Sequence, residues 1–121
     1  GYYISLSGYI LKEANDNCAE VLACLKEGII PLDKLMIETD APYMGFPDSR
    51  QLYMEHNVDY VSSLNSKKRK RLQQSMYPNV PSSLPMVLDQ VVECLQQHDS
   101  SLTRDQVADQ TTKNARKFFG F

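Results

Sequence analysis

Most of the short motifs that mark an enzyme are missing from this chain. It has no HxH, HExxH, P-loop, GxSxG or glycine-rich dinucleotide fingerprint, which removes the usual local signatures of a zinc hydrolase, a nucleotidase, a serine esterase or a Rossmann dehydrogenase. Histidine is nearly absent, with only His56 and His98, and the residues able to ligate a metal are scattered rather than clustered in threes or fours. Cys18, Cys24 and Cys94 are odd in number and lack CxxC spacing. With no signal peptide, they argue for reduced thiols in an intracellular compartment, cytoplasmic or nuclear. Cys24 and Cys94 lie in apolar periodic segments and are expected to act as small core hydrophobes. Neither sign of charge dominates: 13 basic and 15 acidic residues give −2, so there is no global electrostatic case for nucleic acid or an anionic membrane. The longest apolar stretches fall far short of a membrane-spanning helix. No internal repeat occurs and no methionine opens the chain, which starts in the strand-like Gly1 to Gly8 and reads as a piece of a longer protein.

What is present is a chain of 121 residues, 42% hydrophobic, sized for one domain. Its most informative stretch is Leu35-Met-Ile-Glu-Thr-Asp-Ala-Pro42. Leu35, Met36 and Ile37 are too short a run for an independent helix and read as a core strand. Pro42 cannot donate a ladder hydrogen bond and keeps Ala41 out of the helical region, so pairing should stop near Asp40. Strand alternation would then set Ile37 and Thr39 against Glu38 and Asp40, with both carboxylates on one side. Such carboxylates need a partner, whether a metal ion, an Arg or Lys, or backbone donors. A structural ion pair or turn cap explains the pattern as readily as a chemical role, although strand ends in α/β folds often carry chemistry.

Around this stretch, Tyr3, Ile4 and Leu6 read as a strand ending at Ser7-Gly8. A helix capped by Asp16 or Asn17 should run to about Glu27, with Cys18, Val21, Leu22 and Leu25 on its apolar face and Gly28 as its stop. The first forty residues therefore spell strand, helix, strand, normally a parallel, right-handed unit that cannot stand alone. Residues 43–77 read as a long irregular excursion with one short helix around Tyr53 to Leu64. The run Lys67-Lys-Arg-Lys-Arg71 within it could bind phosphates or act as an import signal. On a helix begun by Ser66 its charges spread to all sides, with Leu72 and Met76 as anchors. The lack of interleaved aromatics favours a solvated face. A helix opening at Pro81 to Pro85, capped by Ser82 or Ser83, should bury Leu84, Val87, Leu88, Val91, Val92 and Leu95 and end near His98. Thr103 to Gln106 has capping-box form and starts a short helix. Thr111 to Phe119 reads as another, packing through Ala115, Phe118 and Phe119 and stopped by Gly120. His98 at a helix C-terminus is favoured by the dipole, and His56 reads as exposed.

Several segments, in order, resemble the C-terminal portion of the TatD-type metal-dependent deoxyribonucleases, members of the amidohydrolase-like TIM-barrel hydrolases. Ile4 to Gly8 is similar to the seventh barrel strand and Pro31 to Tyr43 to the eighth-strand signature. Asn79-Val-Pro81 resembles an asparagine-glutamate-proline segment, and Thr111 to Gly120 the closing helix. The resemblance implies an α/β fold, the C-terminal part of a (β/α)8 barrel with about two parallel strands plus helices over residues 1–121. It further implies one or more divalent ions of Mg, Mn or Zn type, and DNA as substrate. Asp40 takes the place of the eighth-strand aspartate beside metal and attacking water, a catalytic and metal-binding role. Glu38 belongs to the signature but is expected to support it, from behind the metal ligands or through an interior salt bridge, rather than ligate. Val80 stands where the family usually has glutamate. The family's amino-terminal HxH pair, mid-chain glutamate and two further histidines have no counterparts here, since His56 and His98 do not align with them. The chain by itself is therefore expected to be inactive and to need the rest of the barrel. Two rival readings are a stand-alone nucleic-acid or protein-binding module using Lys67 to Arg71, and a small-substrate hydrolase of the same superfamily.

Overall fold

Two three-residue strands organise the architecture: the second is backed by helices, whereas the first buries only Leu6. The computed structural model describes residues 1–12 and 16–121, the side chains of Asp16 and Asn17 excepted. Strand β1 (Ile4–Leu6) pairs in parallel with β2 (Leu35–Ile37), in the register Ile4 to Leu35, Ser5 to Met36 and Leu6 to Ile37. Between them run a 3-10 turn at Gly8–Leu11, helix α1 (Asp16–Lys26) and a second 3-10 turn at Leu32–Lys34. This is the expected strand, helix, strand unit; its expected cap at Asp16 or Asn17 lies outside the described side chains. Gly28 follows α1 at φ 70°, the left-handed conformation that glycine adopts without penalty, and an added Cβ would meet the His98 ring at 2.4 Å.

Helix α5 (Leu84–His98) lies against α1 and supplies the largest apolar face. Val87, Leu88, Val91, Val92, Cys94 and Leu95 are buried as the 3.6-residue period requires, while Leu84 is only half-buried. Leu25, Leu35, Val87, Val91, Cys94 and Val107, all fully inaccessible, form the centre of the core. Of the two cysteines expected there, Cys94 is buried and Cys24 half-buried.

Five expectations fail. Residues Thr103 to Phe119 do not make two helices but one, α6 (Arg104–Phe119). Thr111 and Thr112 continue it because their hydroxyls bond back to the carbonyls of Val107 (2.9 Å) and Ala108 (2.8 Å). Its buried face is Val107, Thr111 and Asn114, so Phe118 and Phe119 are left 56% and 65% exposed. Ser83 sits at the start of α5 but does not cap it; its hydroxyl donates to Asn79 Oδ1 at 2.8 Å. The 43–77 excursion is mostly helical: α2 (Pro47–His56), α3 (Val58–Ser63) and α4 (Ser66–Gln74). These helices bury single anchors, Ser49, Val61 and Leu72, rather than apolar stripes, and so leave little periodic signal. Met76, the other expected anchor of α4, is 47% exposed.

Candidate functional site

The turn after β2 carries Asp40, and its geometry departs from the predicted strand. Regular pairing ends at Ile37, with only the Glu38 N–H still reaching Leu6 O at 2.9 Å. Asp40 stands at φ 57° and Met44 at φ 59°, left-handed conformations that an extended strand cannot contain. The alternation that would align Glu38 with Asp40 therefore does not extend through the turn. Both residues are exposed. The partner expected for their carboxylates is not supplied by the described residues, among which the one ion pair is Arg104 to Asp89.

What holds this turn is Asn79, a residue from beyond the excursion. Its Nδ2 donates to Thr39 O at 2.6 Å and to Tyr43 O at 2.8 Å, one on each side of Asp40. Its Oδ1 accepts from the Val80 N–H (2.9 Å) and the Ser83 hydroxyl (2.8 Å), and its own N–H reaches Pro42 O at 3.3 Å. Asn79 is buried, so each of these bonds satisfies a group that water does not reach. Within the turn, the Tyr43 N–H donates to Asp40 O at 2.8 Å and the Ala41 N–H to Thr39 Oγ1 at 3.3 Å.

The excursion closes on the same segment. A Cβ at Gly45 would lie 1.6 Å from Tyr77 O, so the two backbones touch and only glycine fits. The buried Ser49 hydroxyl accepts from the Phe46 N–H (2.8 Å) and lies 2.9 Å from Phe46 O and 3.1 Å from Pro78 O, one donor between two carbonyls. Arg50 stacks over the Tyr77 ring at 4.8 Å, with its buried Nη1 unpartnered among the described residues. Asn114 of α6 performs for the start of β2 what Asn79 does for its end, donating to Leu32 O (2.9 Å) and Leu35 O (2.7 Å).

Sequence reasoning placed Asn79 by resemblance alone and did not anticipate Ser49 or Asn114. No local pattern marks a side chain whose partners lie tens of residues away. Of the other candidates, Lys67 to Arg71 lie exposed on α4. Arg69 is engaged, its Nη2 donating to Ser62 O (2.9 Å) and Leu64 O (3.1 Å). His56 and His98 end α2 and α5, both exposed and away from the Asp40 turn in sequence. Among the described residues, no three of His, Cys, Asp and Glu gather closely enough to hold a metal ion. These residues by themselves do not fit a complete metal site.

A family model described as TatD related DNase matches residues 1–120. Comparison with curated proteins yields no match. Among solved structures, an uncharacterized amidohydrolase from Saccharomyces cerevisiae superposes with a TM-score of 0.54 at 19% sequence identity, over 95% of this chain and 33% of that one. The chain thus spans about a third of that neighbour's length, and the likeness is one of fold: an α/β arrangement corresponding to part of a TIM barrel. No helix in the described residues is long and apolar enough to cross a membrane.

Proposed function

Because the chain belongs to the TatD-related DNase family, we propose that it forms part of a hydrolase that cleaves DNA phosphodiester bonds, with Asp40 as its catalytic carboxylate. The observation that carries this reading is the Asp40 turn itself. An exposed carboxylate with no ion-pair partner among the described residues sits on a left-handed residue, and Asn79 grips the backbone on both sides of it. Five residues of turn are held by a buried amide, as expected where a side chain must be presented to a substrate. A carboxylate so placed accepts a proton from an attacking water, general-base chemistry that contributes about 10²- to 10⁴-fold.

The divalent ion implied by the family is not held by these residues, which offer one carboxylate where three or four ligands are needed. Further ligands would come from outside the 121 residues, in keeping with a chain that spans about a third of its structural neighbour. On this reading the 121 residues alone are inactive. The test is Asp40→Asn in the protein at its full length, with DNA cleavage measured in the presence of magnesium, manganese or zinc. A loss of at least about a hundredfold is expected; turnover near that of the unmodified protein would overturn the assignment. Hydrolysis of small phosphoesters with DNA left intact would favour the small-substrate reading instead.

A further inference from the structure

The five-cation run of α4 shows no aromatic residues beside it in sequence, yet the fold brings two to it. A groove of about 300 Å³ is lined by Tyr53 and Tyr60 from α2 and α3, by Lys68 and Arg71 from α4, and by Met76 and Pro78. Lys68 and Arg71 are three residues apart and share one side of the helix. No ion pair engages either among the described residues, whereas Arg69 between them is spent on the carbonyls of Ser62 and Leu64. Tyr60 is 55% exposed.

The charge distribution marks the same region. Between Tyr43 and Tyr77 lie six basic and three acidic residues, against seven basic and twelve acidic in the rest of the chain. The near-neutral total conceals a positive lobe on a negative body.

From this juxtaposition we propose that the Tyr53, Tyr60, Lys68 and Arg71 groove is a binding site for single-stranded nucleic acid, with bases stacked on the tyrosines and phosphates against the two cations. The polymer being DNA rests on the phosphodiesterase reading; the groove itself does not. Stacking needs unpaired base faces, which a duplex hides, and every base has such a face, so binding is tolerant of sequence. An anionic membrane fits less well, because α4 buries only Leu72 and has no apolar face to insert. The wall at Pro78 adjoins Asn79, so the segment that lines the groove is also the one that holds the Asp40 turn.

The experiment, on the protein at its full length, is fluorescence anisotropy with a labelled oligothymidylate of about 15 nucleotides, near the upper site size for such grooves, and with the same strand as a duplex, in EDTA to prevent cleavage. Tyr60→Ala is expected to weaken single-strand binding about tenfold, and Tyr60→Phe to restore it. Lys68→Gln with Arg71→Gln should flatten the salt dependence by about 1.4 in log–log slope, roughly 0.7 for each phosphate no longer neutralised. The pair Lys113→Gln with Lys117→Gln, exposed cations on α6, serves as a control and should weaken binding by less than about threefold, since it lies outside the groove. The proposal fails if Tyr60→Ala binds like the unmodified protein, if the duplex binds as tightly as the single strand, or if the control pair weakens binding as much as the groove pair. Far-ultraviolet circular dichroism checks that each variant is folded. The two readings separate cleanly. Groove variants that bind normally while Asp40→Asn abolishes cleavage overturn only the groove, and the converse overturns only the assignment of Asp40.

Discussion

At the scale of single residues, the turn after β2 carries a conformational cost. A non-glycine residue at φ 57° costs of the order of 1 kcal/mol. Asp40→Gly is therefore expected to raise the unfolding free energy by about 1 kcal/mol in denaturant titration while removing activity. Asn79→Ala should act in the opposite sense. It strands the carbonyls of Thr39 and Tyr43 and the Ser83 hydroxyl, and should lower stability by about 2–4 kcal/mol in the same titration. Thiol chemistry supplies a third check. Burial, reinforced by the neighbouring Cys94, pushes the Cys18 thiol above its ordinary value, which leaves little thiolate at neutral pH. Alkylation of the native protein should label the half-buried Cys24 first and Cys18 slowly, as read by mass spectrometry. At this scale the sequence singles out Asp40 as a candidate, because a proline and an apolar run frame it. It concealed Asn114 and Ser49 and the part Asn79 plays, since their bonds span 79, 29 and 40 residues.

At the scale of elements, legibility follows how each helix is held. Helix α5 buries a continuous stripe and was readable to within a residue or two of its ends. Helix α6 begins at the expected capping box, where Thr103 Oγ1 accepts from the Gln106 N–H (3.2 Å) and Gln106 Oε1 from the Thr103 N–H (2.9 Å). Thr103→Ala should cost about 1 kcal/mol, visible as a lower denaturation midpoint. The break predicted near Thr111 overlooked that threonine can satisfy its hydroxyl on the preceding turn. Helices α2 to α4 were harder to read, because they rest on single anchors and on the polar closure at Gly45, Ser49 and Asn79. That closure gives the excursion its own weak point. Gly45→Ala would drive a methyl into the Tyr77 carbonyl. It should loosen α2 to α4, raising amide hydrogen exchange there while α1 and α5 remain protected.

At the scale of the whole molecule, a two-stranded parallel sheet leaves one edge of each strand unpaired. Apolar grooves of about 450 Å³ flank both sides, one along β1 with Ile4 and Tyr9, the other beside Ile37 and α6. Phe118, Phe119 and Phe121 stand exposed at the C-terminal end of α6. The 121 residues alone are expected to self-associate, with a sedimentation coefficient that rises with concentration. A cooperative thermal transition of a monomer would contradict this. The partial barrel was legible mainly through resemblance, since strands of three residues carry too little local pattern to specify what lies beside them.

The two asparagine clamps also set a schedule. Strand β2 leaves the ribosome long before the side chains that fix its ends, and Asn114 follows Leu35 by 79 residues. At 5–20 residues per second, that is a wait of about 4–16 s. The start of β2 is thus made well before it is fixed in shape, so a nascent chain stalled before residue 114 would lack the bonds that hold it.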